Sequence, residues 1–262
     1  MSDRTCRKPH TAVRKVTNYL RDFLTDPAAF RGQQLRGGGP VAEFEQLLAE
    51  RCGFTHCVAT CNATAALTAL GIAWKVRGRN VYVPRGHWEG SVAVLRVLGA
   101  KIRWYEAGRA IASGGACFRN AAMIVVGANG LPEACSSIAD RATCLIVEDS
   151  SRLPGVSVPL GEFSGADAQV ISFGPAKPMS LGEGGAVLMQ SDALWRKLIA
   201  VSQHPERVSA TFGVRAEIPE FCLNARIHPL AALLGSQLLQ AFAPATAQDS
   251  SDYSRSRCAT AV

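Results

Sequence analysis

The sequence predicts an α/β domain built on a mostly parallel sheet with helices on both faces, and three observations carry that expectation. Apolar runs of strand length recur at 57–60, 80–84, 101–105, 123–127, 144–148, 170–173 and 186–189, seven in all. Segments with helical spacing, such as 91–98 and 134–141, separate them, which is the alternation of βαβ units. The 262 residues, 48% hydrophobic and 19% charged, suffice to bury one large core and argue against disorder.

In chain order, Val13, Val16, Leu20, Phe23 and Leu24 recur at helical spacing until Pro27 stops the pattern, which gives an amphipathic N-terminal helix. Gly37, Gly38, Gly39 and Pro40 break the chain before a second helix, where Phe44, Leu47 and Leu48 are mixed with Glu43, Glu45 and Glu50. The strand at 57–60 runs into an alanine- and leucine-rich helix from Asn62 to Ala73, so CNATAAL spans a strand-to-helix turn. Free amides and the positive end of the helix dipole at such a turn favour a phosphate, and Thr64 adds a hydroxyl donor. Ordinary capping of the helix by Asn62 or Thr64 accounts for the same residues equally well.

Asp149 follows an apolar strand, at the carboxyl end where α/β sheets place their ligands, although a carboxylate there also suits a helix cap. In QVISFGPAKPMSLGEGGAV, residues 169–187, the turn residues Gly174, Pro175 and Pro178 hold Lys177 on a short loop, and GEGG turns the chain back into a strand. A lysine becomes a nucleophile when burial or cationic neighbours lower its pKa, and it then forms a Schiff base with a carbonyl, most often that of pyridoxal phosphate. The plain alternative is a surface lysine beside a glycine-rich turn. Pro229 suits the first turn of a helix.

Composition excludes several classes. The lysines and arginines behind the net charge of +7 are scattered and accompany no nucleic-acid motif, so an anionic cofactor or substrate is the expected partner. Cys52, His56, Cys57 and Cys61 lie close together without zinc spacing, so no metal is expected. No apolar run reaches the roughly 18 residues of a membrane span, and the N-terminus has no hydrophobic signal core. A cytoplasmic protein is expected, with its nine cysteines as reduced thiols.

SFGPAKPMSLGEGG resembles the lysine segment of the DegT/DnrJ/EryC1/StrS aminotransferases, whose pattern is SFxxxK followed by GEGG. The resemblance extends over about residues 35–242. It includes GGGPVAEFEQLLAERCGFTHCVATCNATAAL at the opening, VPRGHWEGSVAVLRVLGA against PxxTFxAT, and VVGANGLP against VHLYGxP. LIVEDSSRLPG resembles IEDAAQALG, and CLNARIHPLAALLGSQLL resembles NYRMSxLQAALGLAQL.

The resemblance implies an aspartate aminotransferase-like large domain with seven strands, pyridoxal 5'-phosphate as cofactor, and a homodimer with shared sites. It places Lys177 as the residue that holds the aldehyde and shuttles protons, Asp149 against the ring nitrogen, and Trp88 over the ring face. Ala63, at the family's glycine, and Thr64 fall on the phosphate turn, and Ser172, at the serine of the family's SF pair, binds the cofactor phosphate. Asn224 reaches the partner subunit's phosphate. Arg152 stands at a glutamine position near the cofactor's phenolic oxygen, and His87 at a threonine position.

The implied reaction moves an amino group from glutamate or glutamine to a nucleotide-linked keto sugar or related cyclic ketone. The alternative is a relative with lost or altered catalysis, either a cofactor-binding partner subunit or an enzyme of elimination chemistry, although the lysine speaks against the family's dehydratase branch. The stretch from Glu106 to Ala121 is shorter than in the family. The expected division is an N-terminal helix and arm at 1–36, the large domain at 37–243 and a flexible polar tail at 244–262. The family's small C-terminal domain is expected to be missing, which would leave the site open.

Overall fold

Among the described residues the elements run α1 (Pro9–Thr25), α2 (Pro40–Cys52), β1 (His56–Thr60), α3 (Ala63–Ala73), β2 (Asn80–Pro84), α4 (Glu89–Val97), β3 (Lys101–Tyr105), β4 (Ala121–Gly127), β5 (Leu145–Asp149), β6 (Ala168–Ser172), β7 (Gly185–Met189), α5 (Asp192–Ser202), α6 (Pro205–Phe212) and α7 (Pro229–Ala241). They are taken from a computed structural model that describes residues 9–28, 34–106, 109–110, 118–127, 143–150, 166–177, 179–213 and 222–241. The helical pattern at 134–141, Arg152, Pro178 and the tail at 244–262 lie outside the described residues.

Local chemistry sets the element ends. Pro40 opens α2, where its missing N–H costs nothing, and Gly53 closes it in the left-handed conformation at φ 72°. Ser191 caps α5 by accepting from the Leu194 amide at 3.2 Å. β4 begins at Ala121, before the expected Met123, because Ala121 and Ala122 are also buried. Asp149 is the last residue of β5 and so lies within the strand, where the sequence had placed it just beyond.

The strands form one sheet in the order β1-β7-β6-β5-β4-β2-β3. β7 runs antiparallel to β1 and β6, and every other ladder is parallel. The period-2 alternation of the strands sorts their side chains between two buried faces. Val58, Val81, Met123, Val125, Leu145, Val147, Val170 and Val187 face a core built with Leu67 and Leu70 of α3, Leu95 of α4 and Leu198 of α5. On the opposite face, Ala59, Ile171, Ala186 and Leu188 pack under α2 and α7. Ile124, Val126 and Ile146 form a third cluster on that side with Phe118.

Each fully buried Leu, Ile or Phe contributes about 1.5–3 kcal/mol, so these layers dominate stability. Phe44 of α2 meets Phe173 edge-to-face with ring centroids 5.5 Å apart. The same ring presses so closely on α7 that a Cβ on Gly235 would come within 2.4 Å of it. Only glycine permits that approach of the two helices.

Candidate active site

The parallel strands β1, β2, β5 and β6 end together at one rim of the sheet, and alternation decides which residues there meet. Thr60 shares the face of Val58, Asp149 that of Leu145 and Val147, Ser172 that of Ala168 and Val170, and Gly185 that of Val187. All four therefore lie at one end and on one face. The loop from β6 that carries Lys177 leaves from the same end, and α3 begins there. Ligands of open α/β sheets lie outside such carboxyl ends.

At the α3 end, Asn62 caps the helix, its Oδ1 accepting from the Ala65 amide at 2.7 Å. The capping reading is thus realised at Asn62, while Thr64 stands exposed on the first turn. Ala63 is the first helical residue. A Cβ on Gly185 would lie 2.4 Å from both the Ala63 nitrogen and the Asn62 carbonyl carbon. The first residue of β7 is therefore seated backbone to backbone against the turn. This close contact fixes the direction of the α3 amides, and its helix dipole adds positive potential there.

At the centre of the rim, Asp149 is buried, and its Oδ2 has two side-chain partners from the segment after β2. His87 Nε2 lies 3.0 Å away and Ser91 Oγ donates from 3.1 Å. Trp88, between them, is 62% exposed, and its indole folds back over Gly90 at the start of α4.

Lys177 sits half-buried on a tight turn, its amide donating to the Gly174 carbonyl at 3.0 Å. Among the described residues its ammonium has no hydrogen-bond or ion-pair partner. The turn is anchored at both sides, because the Phe173 amide donates to Gly184 O and the Leu181 amide to Phe173 O, each at 2.9 Å. Ser172 is half-buried at the end of β6. Asn224 is exposed in the left-handed region at φ 48°, and its Oδ1 accepts from Arg226 Nε at 2.8 Å. That segment is tied to the same rim, since the Cys61 amide donates to Ala225 O at 2.9 Å.

Five contributors escaped sequence reasoning. His87 and Ser91 as partners of Asp149 are visible only once β2 and β5 are placed in the sheet, although a histidine at a threonine position was a signal. Gly185 is one of several glycines in GEGG, and only its contact with Ala63 sets it apart. Glu45 and Arg207 were missed as well. They form a buried two-point ion pair, at 3.0 Å and 2.5 Å, that also holds the end of β1, because the Ala59 amide donates to Glu45 Oε1 at 2.7 Å.

The five described cysteines, Cys52, Cys57, Cys61, Cys144 and Cys222, are free thiols. Burial pushes the Cys57 thiol well above its ordinary value and that of Cys52 up to about 12, so neither acts as a thiolate. Among the described residues no helix is long and apolar enough to cross a membrane, and no cluster of His, Cys, Asp or Glu has the makings of a metal site.

Comparison with known proteins agrees with this geometry. UDP-4-amino-4,6-dideoxy-N-acetyl-beta-L-altrosamine transaminase from Campylobacter jejuni is 25% identical over 241 residues, covering 84% of this chain and 61% of that protein. UDP-2-acetamido-2-deoxy-3-oxo-D-glucuronate aminotransferase from Pseudomonas aeruginosa is 28% identical over 181 residues, covering 64% of this chain and 50% of that one. The chain thus spans between half and about three fifths of the length of these curated relatives. The fold matches that of a DegT DnrJ EryC1 StrS aminotransferase from Brucella abortus with a TM-score of 0.67 at 22% identity, over 88% of this chain and 64% of that one. A model of the DegT/DnrJ/EryC1/StrS aminotransferase family matches residues 25–107 and 118–255. With most of the sequence matched, and with the lysine loop, the strand-end aspartate and the helix turn at one rim of the sheet, the chain belongs to the DegT/DnrJ/EryC1/StrS aminotransferase family.

Proposed function

We propose that the chain is the large, cofactor-binding domain of a pyridoxal phosphate-dependent aminotransferase. It moves an amino group from glutamate or glutamine to the keto group of a nucleotide-linked sugar or related cyclic ketone. The reading is carried by the convergence of Asp149, Ser172 and the α3 N-terminus on one face of one sheet end, from which the Lys177 loop also departs. The names of the Campylobacter and Pseudomonas relatives support the acceptor class.

The donor set fits the cofactor in chemistry: an amide-rich helix end for a phosphate, a buried carboxylate for a ring nitrogen, and a lysine with no ionic partner among the described residues. When bound, pyridoxal phosphate supplies an electrophilic carbonyl and a ring that accepts electrons. The Ala63 and Thr64 amides, with the hydroxyls of Thr64 and Ser172, hold its phosphate. Asp149 keeps the proton on the ring nitrogen, because a buried carboxylate favours the charged form of its partner. Lys177 would be the residue that holds the cofactor's carbonyl through Nζ, and the same amine would serve as the base placed for the proton of the donor Cα. Trp88 would cover the ring face, and Arg152 would supply a cation for the phenolic oxygen or a substrate anion.

Asn224 serves the phosphate of a second copy in a homodimer. Its exposure, and the grip of Arg226 on its amide oxygen, support this role. We place the protein in the cytoplasm, where thiols such as Cys52 and Cys57 remain reduced.

The test is borohydride reduction of the protein with excess pyridoxal phosphate, followed by peptide mass spectrometry. The expected product is a cofactor adduct on the peptide containing Lys177, absent in Lys177→Ala. No adduct on that peptide in the wild type defeats the reading. Amino transfer across a panel of donors and keto acceptors then identifies the pair.

A further inference from the structure

We propose that His87 is a positioning residue for Asp149, which it and Ser91 hold in one fixed orientation toward the cofactor's ring nitrogen. This rests on the proposed function for the identity of what Asp149 faces. The contact itself stands on the geometry alone. His87 Nε2 lies 3.0 Å from Asp149 Oδ2, and the two side chains are only 9% and 5% exposed. Ser91 Oγ donates to the same oxygen from 3.1 Å.

A carboxylate turns readily about its last bond, because that torsion has broad, two-fold preferences. Two donors on one oxygen, arriving from different points of the chain, remove that freedom. His87 sits in the loop after β2, held by a bond from its own amide to the Pro84 carbonyl at 3.2 Å, and Ser91 sits on the first turn of α4. Neither donor moves unless the segment between β2 and α4 moves.

The chemistry of the donor suits the task. An imidazole donating from Nε2 retains Nδ1 as acceptor when neutral and becomes a donor on both sides when charged, whereas a hydroxyl offers one proton. With water largely excluded, a bond from imidazole to carboxylate is little screened. His87, one residue before the exposed Trp88, thus joins the site from its buried side.

The experiment uses the full chain in two states. In cofactor-free protein, long-range proton–nitrogen spectra of the imidazole rings report the hydrogen bond at His87 Nε2. Asp149→Asn is expected to shift that signal and leave the exposed His228 ring unchanged. In titrations with pyridoxal phosphate followed by absorbance, His87→Ala is expected to weaken uptake about 10–100-fold, the usual consequence of losing a hydrogen bond to a charged group. His87→Gln, whose amide nitrogen reaches the same oxygen, is expected to restore most of the affinity.

An unmoved His87 signal in Asp149→Asn overturns the proposal. So does His87→Ala binding as tightly as wild type, or an equal loss in His87→Ala and His87→Gln. If wild type takes up no cofactor, the functional reading fails, while the spectra still decide whether His87 holds Asp149.

Discussion

The two edges of the sheet are protected in different ways. At one edge, β1 is sealed. The Ala59 amide donates to Glu45, the Ala59 carbonyl accepts from Gln203 Nε2 at 3.3 Å, and the Cys61 amide donates to Ala225. Arg207 closes the network by bonding Glu45 and, at 2.9 Å, Gln203. At the other edge, β3 presents Lys101, Arg103 and Trp104 to solvent. Charges on an exposed edge discourage pairing with another chain without adding stability. The sealed edge is the one whose strand runs into the α3 turn. Bonds from outside the sheet are thus gathered beside the candidate phosphate site, whereas among the described residues the far edge is guarded by its exposed side chains.

The largest test of that contrast is Glu45→Ala. Removing one partner of a buried pair leaves an uncompensated charge, so urea unfolding is expected to show a loss of about 3–5 kcal/mol. A loss below about 1 kcal/mol, the range of exposed pairs, would mean that the β1 edge is no better fixed than β3.

The next effect appears with pH, because Cys57 of β1 and Cys52 of α2 are sealed by the same layers. Below pH 9 both thiols are protonated whether the chain is folded or not. Above it the unfolded chain loses those protons, while the folded one keeps that of Cys52 up to about 12. Stability is therefore expected to fall as pH rises through this window, and to fall less steeply in Cys52→Ala. Equal slopes in chemical unfolding across that range would show that water reaches the thiol.

Gly185→Ala tests the contact between β7 and the turn. The added methyl must displace backbone, at about 1–3 kcal/mol, and weaker uptake of pyridoxal phosphate should accompany the loss. Unchanged stability in calorimetry would show that the turn yields without resistance.

The smallest effect belongs to the open edge. Trp104→Gln is expected to change stability by no more than about 0.5 kcal/mol, as surface substitutions usually do. A drop several times larger would reveal that β3 is packed in solution.

The strands were legible because a sheet buried on both faces writes its strands as continuous apolar runs, as in residues 121–127 and 185–189. The positions of Asp149 and Lys177 were legible because Asp149 ends such a run and Lys177 follows one among turn residues. What lay hidden depends on pairing between distant segments. Glu45 reads as part of a polar helix face beside Glu43, yet it falls on the buried stripe of Val41, Phe44, Leu48, Ala49 and Cys52, so its spacing carried a signal. Its partner Arg207 carried none, since nothing in that short helix announces a buried cation. His87 was noticed for its departure from a family motif, but its bond to Asp149 requires the strand order that puts β4 between β2 and β5.

The placement of β7 has a consequence for the order of events during synthesis. It lies between β1 and β6, pairing His56 with Met189, and its first residue braces the α3 turn. Contacts so distant along the chain form late, after the entropy of closing the intervening loop has been met. A ribosome therefore releases the strand-to-helix turn, the Asp149 strand and the lysine loop in succession, with the first of them unsupported until the last has emerged. A nascent chain halted before residue 185 is expected to gain no protection from pyridoxal phosphate, however completely its earlier helices have formed.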